Sequence, residues 1–119
     1  MGTFTGTTGP DDLLGTTGND DFLLLAGDTN GLDQYDGLDG IDTIRAPYGG
    51  TTLHVENALA NLHSIEAIGG FGLWWTNTIL ATPGNDTLDF SDYTVTNFLI
   101  DGGDGNDTIT GTDGDDHIR

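Results

Sequence analysis

A nine-residue unit that recurs along much of the chain constrains the fold more than any other feature. Five copies carry glycine at positions one and four, aspartate at position six and an apolar residue at position eight. They span residues 6–14, 15–23, 37–45, 102–110 and 111–119. A sixth copy, residues 81–89, lacks only the first glycine, and a seventh, residues 26–36, carries two extra residues, Thr29 and Asn30. Repetition at a fixed period indicates a solenoid, in which each repeat packs on its neighbours.

The acidic and apolar positions of the repeat are coupled. Position six holds Asp11, Asp20, Asp33, Asp42, Asp86, Asp107 and Asp116. Position eight holds Leu13, Phe22, Tyr35, Ile44, Leu88, Ile109 and Ile118. Because an apolar residue follows each aspartate at the same offset, composition alone is a poor explanation of the pattern.

The unit predicts a turn followed by a short strand. Two glycines permit a turn with positive φ and bring backbone carbonyls close to a common point, which the aspartate faces. The next three residues are extended, and the middle one points inward. Two units then make one coil, and successive coils stack as parallel strands about 4.8 Å apart. The predicted fold is all-β, a right-handed parallel β-roll or β-solenoid.

The charge of the chain favours cations as partners. It carries 20 acidic and 2 basic residues, for a net charge of −18, and all but two of the acids are aspartate. Aspartate suits tight turns and direct ligation of hard cations. An ion midway between stacked turns would lie close to the ~2.3–2.6 Å at which calcium binds oxygen. The same charge repels nucleic acid and anionic lipid, and no segment approaches the ~18 apolar residues of a membrane span.

The repeats resemble the RTX nonapeptide family, whose pattern is GGxGxDxUx with U apolar. Residues 102–110, GGDGNDTIT, match it best, and the resemblance covers roughly residues 6–45 and 81–119. In that family the position-six aspartates and turn carbonyls bind calcium between turns stacked on the same side. The resemblance therefore implies Ca²⁺ as the bound ion and calcium-dependent folding.

Carried over to this chain, the resemblance implies specific calcium ligands. The implied pairs are Asp11 with Asp33, Asp20 with Asp42, and Asp86 with Asp107 across an irregular coil at residues 90–101. The same turns offer Asp39, Asp104 and Asp113 as further candidate ligands. Asp116 has no obvious partner within the chain.

The resemblance also implies a compartment. The family is exported by a type I system with an uncleaved C-terminal signal, so we expect a secreted, extracellular bacterial protein without enzymatic activity of its own. The first residues lack the basic and apolar regions of an ordinary signal peptide, in keeping with that route. The chain reads as part of a longer protein, and an unpaired terminal strand edge would invite end-to-end self-association.

The middle of the chain, residues 46–80, lacks the motif and separates repeats at 1–45 from repeats at 81–119 within one expected solenoid domain. Apolar residues between Val55 and Ile65 have helical spacing, which allows a short helix. Alternation elsewhere in the segment favours irregular β-coils with at most one helical turn. Because these coils lack position-six aspartates, they are expected to bind no calcium.

Trp74 and Trp75 have two interpretations. They can cover the solenoid core, which we favour, or form a stacking platform for sugar rings. The second would make the chain a calcium-dependent module that binds polysaccharide. A further alternative is the non-catalytic part of a secreted hydrolase or adhesin. The three histidines match no common metal motif, and every acid pair belongs to a repeat, so neither indicates catalysis.

Overall fold

Short parallel strands make up nearly all the regular structure of the chain. The computed structural model describes residues 2–5, 12–24, 34–46, 51–70, 77–112, 114 and 116–119. Its strands are β1 Thr3–Thr5, β2 Asp12–Leu14, β3 Asp21–Leu23, β4 Gln34–Asp36, β5 Thr43–Ala46, β6 Thr52–His54, β7 Leu62–His63, β8 Ala67–Gly70, β9 Thr78–Leu80, β10 Thr87–Asp89, β11 Thr94–Thr96, β12 Leu99–Asp101 and β13 Thr108–Thr110. One 3-10 turn, Asn57–Leu59, lies between β6 and β7.

The strands stack into four ladders, each paired in parallel throughout. Their orders are β1-β3-β5-β8-β11, β2-β4-β7, β6-β9-β12 and β10-β13. Consecutive strands fall in different ladders, so the chain winds round and returns to each side once per coil. This architecture confirms the predicted all-β solenoid. No helix in the described part of the chain is long and apolar enough to cross a membrane.

The coil lengthens toward the middle of the chain. The first coil has the length of two repeats, since Gly2 contacts Asp20 in the next coil, 18 residues later. Farther along, Gly70 contacts Asn97 at a separation of 27 residues. The added length forms a third side, the β6-β9-β12 ladder, which has no counterpart among the described residues of the first coils. The described residues of the motif-free segment, 46, 51–70 and 77–80, therefore continue the predicted solenoid and include one 3-10 turn.

The position-eight residues form the core. Phe22, Tyr35, Ile44 and Leu88 are buried, and Leu13 and Ile109 pack against them. Each stands directly opposite its counterpart in the next coil: Phe22 against Ile44, Leu13 against Tyr35 and Leu88 against Ile109. The third side continues the core with Leu53, Ile79 and Ile100 in register. At the last bridge, Ile118 opposite Ile100, the side chain of Ile118 is 46% exposed.

This core gives a direct test of the inward ladder. Ile44→Ala removes a side chain that is 0% exposed, so the free energy of unfolding should fall by about 2–5 kcal/mol. Ile41→Ala is the matched control, because Ile41 is 63% exposed on the preceding turn and its loss should change stability by less than about 0.5 kcal/mol. Urea unfolding of both variants measures the difference. Equal losses would contradict the packing.

Candidate metal-binding turns

Two pairs of repeat turns lie one above the other. The N-terminal stack comprises turns 15–20 and 37–42, and the C-terminal stack comprises turns 81–86 and 102–107. In the N-terminal stack the amide of Asp20 donates to Asp42 Oδ1 at 2.8 Å. In the C-terminal stack the amide of Asp86 donates to Asp107 Oδ1 at 2.9 Å. The structure thus places two of the sequence-predicted aspartate pairs together, on adjacent turns.

The asparagines at position five form a second rung in the opposite direction. The amide of Ile41 donates to Asn19 Oδ1 at 2.8 Å, and the amide of Asn106 donates to Asn85 Oδ1 at 2.8 Å. Each stack is therefore held by two side-chain-to-backbone bonds that run both ways between its turns. The same pair of bonds at both ends of the chain shows that the two stacks share one geometry.

Glycine at position one leaves room for the position-six carboxylate. A Cβ on Gly37 would lie 2.2 Å from Asp42 Oδ2, and a Cβ on Gly102 would lie 2.5 Å from Asp107 Oδ2. Both distances are too short for any other residue to fit without displacing the carboxylate. The carboxylates of Asp42 and Asp107 are each folded back against the first residue of their own turn.

Carbonyl oxygens point between the stacked turns. A Cβ on Gly40 would lie 2.6 Å from the carbonyl oxygen of Gly18, and a Cβ on Gly105 would lie 2.4 Å from that of Gly84. Gly40 and Gly105 also have φ of 115° and 99°, values that glycine adopts without strain. Position four therefore needs glycine both for its conformation and for the approach of the carbonyl below it.

Threonine at position two satisfies part of the carboxylate in three turns. The hydroxyl of Thr16 donates to Asp20 Oδ1 at 2.9 Å, that of Thr82 to Asp86 Oδ1 at 2.8 Å, and that of Thr112 to Asp116 Oδ1 at 2.7 Å. Each hydroxyl also accepts the amide of the glycine at position four. Threonine at this position is thus a hydrogen-bonding element of the turn.

Three of the four position-six aspartates of the stacks are buried without a basic side chain beside them in the described part of the chain. Asp20, Asp42 and Asp86 are 2%, 0% and 2% exposed. The chain has only two basic residues, and both pair elsewhere: Arg45 lies 3.3 Å from Asp21, and Arg119 pairs with Asp101. Hydrogen bonds from amides and hydroxyls are therefore the stabilisation that these carboxylates receive from the described part of the chain.

The pKa values of Asp42 and Asp20 shift in opposite directions in this environment. Burial raises the pKa of Asp42; the hydrogen bond from the Asp20 amide lowers it in part, and the charges of Asp20 and Glu66 raise it further, so that the pKa stays above its ordinary value. Burial also acts to raise the pKa of Asp20, but hydrogen bonds from Thr16 and Gly2 outweigh it and lower the pKa below its ordinary value. Asp42 is thus the less satisfied carboxylate of the N-terminal stack.

The donor set suits a hard cation. The atoms that converge on the stacks are carboxylate and carbonyl oxygens, the ligands that calcium takes six to eight at a time. No group of three or more histidine, cysteine, aspartate or glutamate side chains gathers among the residues described, so carbonyls must complete any calcium shell. One atom already lacks a partner: Asp42 Oδ2 is buried and accepts no hydrogen bond.

The remaining predicted site residues fall into three groups. Asp39 and Asp104 are exposed at position three of their turns. Asp116 accepts hydrogen bonds from the amide and the hydroxyl of Thr112. The Ile100–Ile118 bridge places Phe98 at the equivalent position of the neighbouring coil, and Phe98 has no carboxylate. Residues outside the described ranges are Asp11, Asp33, Asp113, Trp74, Trp75 and the inserted Thr29 and Asn30.

One acidic residue at these turns was missed by the sequence interpretation. Glu66 lies just before β8 and accepts the amide of Asp42 through Oε2 at 2.7 Å. Glu66 lies two residues before the inward-facing Ile68, just as position six lies two residues before position eight in a repeat. The sequence interpretation missed this spacing because the turn lacks the glycines of the motif.

The threonine bond can be tested by removing the hydroxyl alone. Thr82→Val should lower the free energy of unfolding by about 1.5–3 kcal/mol, the usual contribution of a hydrogen bond to a charged group. Thr87→Val is the control, because Thr87 is exposed on the adjacent strand and its change should stay within about 0.5 kcal/mol. Equal denaturation midpoints for the two variants would contradict the role assigned to Thr82.

Comparison with known proteins identifies the repeats. The family model described as RTX calcium-binding nonapeptide repeat (4 copies) matches residues 99–119, which include turn 102–107 of the C-terminal stack. No curated protein and no solved structure matches the chain. The ion that RTX nonapeptide repeats bind is Ca²⁺. Residues 99–119 of this β-solenoid therefore match calcium-binding repeats of the RTX nonapeptide family.

Proposed function

We propose that calcium bound between the stacked turns drives this chain to fold, and that the chain serves as a calcium-responsive, non-catalytic module of a secreted protein. The observation that carries the proposal is that Asp20, Asp42 and Asp86 are buried and form no ion pair with a lysine or arginine in the described part of the chain. Taking a charge out of water costs several kcal/mol unless it is compensated. A divalent cation compensates two carboxylates at once.

The stacks supply the ligands. In the N-terminal stack Asp20 and Asp42 would bind the ion together with turn carbonyls, and in the C-terminal stack Asp86 and Asp107 would do the same. Calcium supplies positive charge and a flexible shell of oxygen ligands there. In the folded chain the asparagine rungs hold the turns in register, so the carboxylates of both turns face the same ion. Further proposed ligands are Asp11, Asp33, Asp39, Asp104, Asp113 and Asp116.

Calcium then acts as a folding switch by mass action. A ligand that binds only the folded form stabilises it by about 4 kcal/mol per site at a thousandfold excess over the dissociation constant. The chain has 20 glycines, whose backbone loses more entropy on folding than that of other residues, so a contribution of this size can decide whether the chain folds. Low calcium inside a cell and high calcium outside would keep the chain unfolded for export and fold it afterwards.

Secretion and a single folding unit complete the proposal. RTX repeats are typical of secreted bacterial proteins. Residues 1–119 would fold as one solenoid, with repeats at 1–45 and 81–119 joined through the motif-free coils, and end-to-end association would use the open last coil. The sugar-binding alternative depends on Trp74 and Trp75, which lie outside the described residues, so no structural observation favours it.

Circular dichroism in chelator and in calcium tests the proposal. Metal-stripped protein should have little β-structure, should gain it in millimolar calcium and should not gain it in magnesium. Magnesium is the informative control because it prefers six ligands in a smaller octahedral shell and keeps several of its waters. Spectra that are identical in chelator and in calcium would falsify the proposal.

A charge-matched pair of variants locates the effect. Asp20→Asn removes a buried charge of the N-terminal stack, and the calcium midpoint of folding should rise at least about tenfold, since even outer-shell changes weaken metal sites by about 10–100-fold. Asp12→Asn removes the same charge from an exposed position at the start of β2 and should leave the midpoint within about twofold. If both variants shift the midpoint equally, overall charge rather than ligation explains the response.

A further inference from the structure

The short turn at residues 63–66 occupies the place of a third repeat turn above turn 37–42. The amide of Gly37 donates to the carbonyl of His63 at 3.0 Å, as the amide of Gly15 donates to that of Asp36 at 2.7 Å. This bond places Ser64 at the level of Gly37, which is position one of its repeat. The turn therefore stays in register with the repeats although it has neither of their glycines.

Glu66 takes position six of this turn. The amide of Ala67 donates to the carbonyl of Asp42 at 3.1 Å, as the amide of Thr43 donates to that of Asp20 at 2.9 Å. Glu66 Oε2 accepts the amide of Asp42 at 2.7 Å, as Asp42 Oδ1 accepts the amide of Asp20 at 2.8 Å. Asp20, Asp42 and Glu66 thus form one continuous column of carboxylates, of which the sequence motif reveals only the first two.

An unsatisfied oxygen lies between the second and third members of the column. Asp42 is 0% exposed, and its Oδ2 accepts no hydrogen bond. The carbonyl oxygen of Ser64 converges on the same space, because a Cβ on Gly37 would lie 2.2 Å from Asp42 Oδ2 and 2.4 Å from that carbonyl. Ser64 has a φ of 53°, a left-handed conformation uncommon for a serine. Two acceptor oxygens thus meet without a donor between them.

We propose that a calcium ion binds between turn 37–42 and the short turn 63–66, held by Asp42 Oδ2, the Ser64 carbonyl and the Glu66 carboxylate. An oxygen-only site with two carboxylates suits a hard divalent cation. The site departs from the expectation that the motif-free coils bind no calcium, and it extends calcium binding beyond the nonapeptides. This site rests on the proposed function, because it requires that the neighbouring N-terminal stack also binds calcium. A proton on Asp42 is the competing occupant.

Calcium titration calorimetry of two variants tests the site. The chain has only two glutamates, Glu56 and Glu66, which makes the pair a natural control. Glu66→Gln keeps an oxygen that can accept the Asp42 amide but removes the charge, so one class of calcium site should be lost or weakened at least about tenfold. Glu56→Gln should titrate like the wild type. Wild-type calcium stoichiometry and affinities in Glu66→Gln would overturn the site, with Asp42 then satisfied by a proton.

The outcomes separate this site from the proposed function. A wild-type chain that binds no calcium overturns both, whereas calcium binding that is unchanged in Glu66→Gln overturns only the third site. If Glu66→Gln does not fold at saturating calcium, wild-type crystals in which ytterbium replaces calcium decide the matter by anomalous scattering. A peak between Asp42 and Glu66 supports the site, and peaks at the N- and C-terminal stacks with none there contradict it.

Discussion

The stacking of carboxylates inside the turns is the interaction on which the rest of the solenoid depends. Asp42 and Asp107 each accept an amide from the turn below, and these bonds join adjacent coils at one fixed height. That height sets the register of the following strand, and the register places Phe22 opposite Ile44 and Leu88 opposite Ile109. In the repeats, the acidic turns and the apolar core are therefore two consequences of one nine-residue pattern.

On their third side the motif-free coils solve the same stacking problem with neutral side chains. Asn77 is buried, accepts the amide of Thr51 and donates to the carbonyl of Asn97, so one amide bridges three levels of the solenoid. Asn61 likewise accepts the amide of Glu56 and donates to the carbonyl of His54. An asparagine both donates and accepts, whereas a carboxylate only accepts. Amide-linked coils hold their turns without a cation, and carboxylate-linked coils leave negative charge for calcium to neutralise.

The sequence predicts the parts of this structure that repeat. The period and the coupling of positions six and eight predict the parallel solenoid and the inward ladder, and the resemblance to the RTX repeats implies the adjacency of Asp20 with Asp42 and of Asp86 with Asp107. The third side of the coil was not foreseen. Alternation at residues 52–55 indicates a strand, but the segment carries no repeat turn that would show which ladder the strand joins. Glu66 was missed since its turn is shorter than a repeat, and its role follows only from backbone hydrogen bonds that no local pattern encodes.

The central claim is that bound calcium compensates the buried carboxylates and so determines whether the chain folds. Its most direct test is one calcium titration in which an ion-selective electrode measures bound calcium while circular dichroism measures the folded fraction of the same sample. The account predicts that both rise together with one midpoint, because the ion binds only the stacked turns. A chain that is fully folded before calcium binds, or one that takes up its calcium while still unfolded, would contradict it.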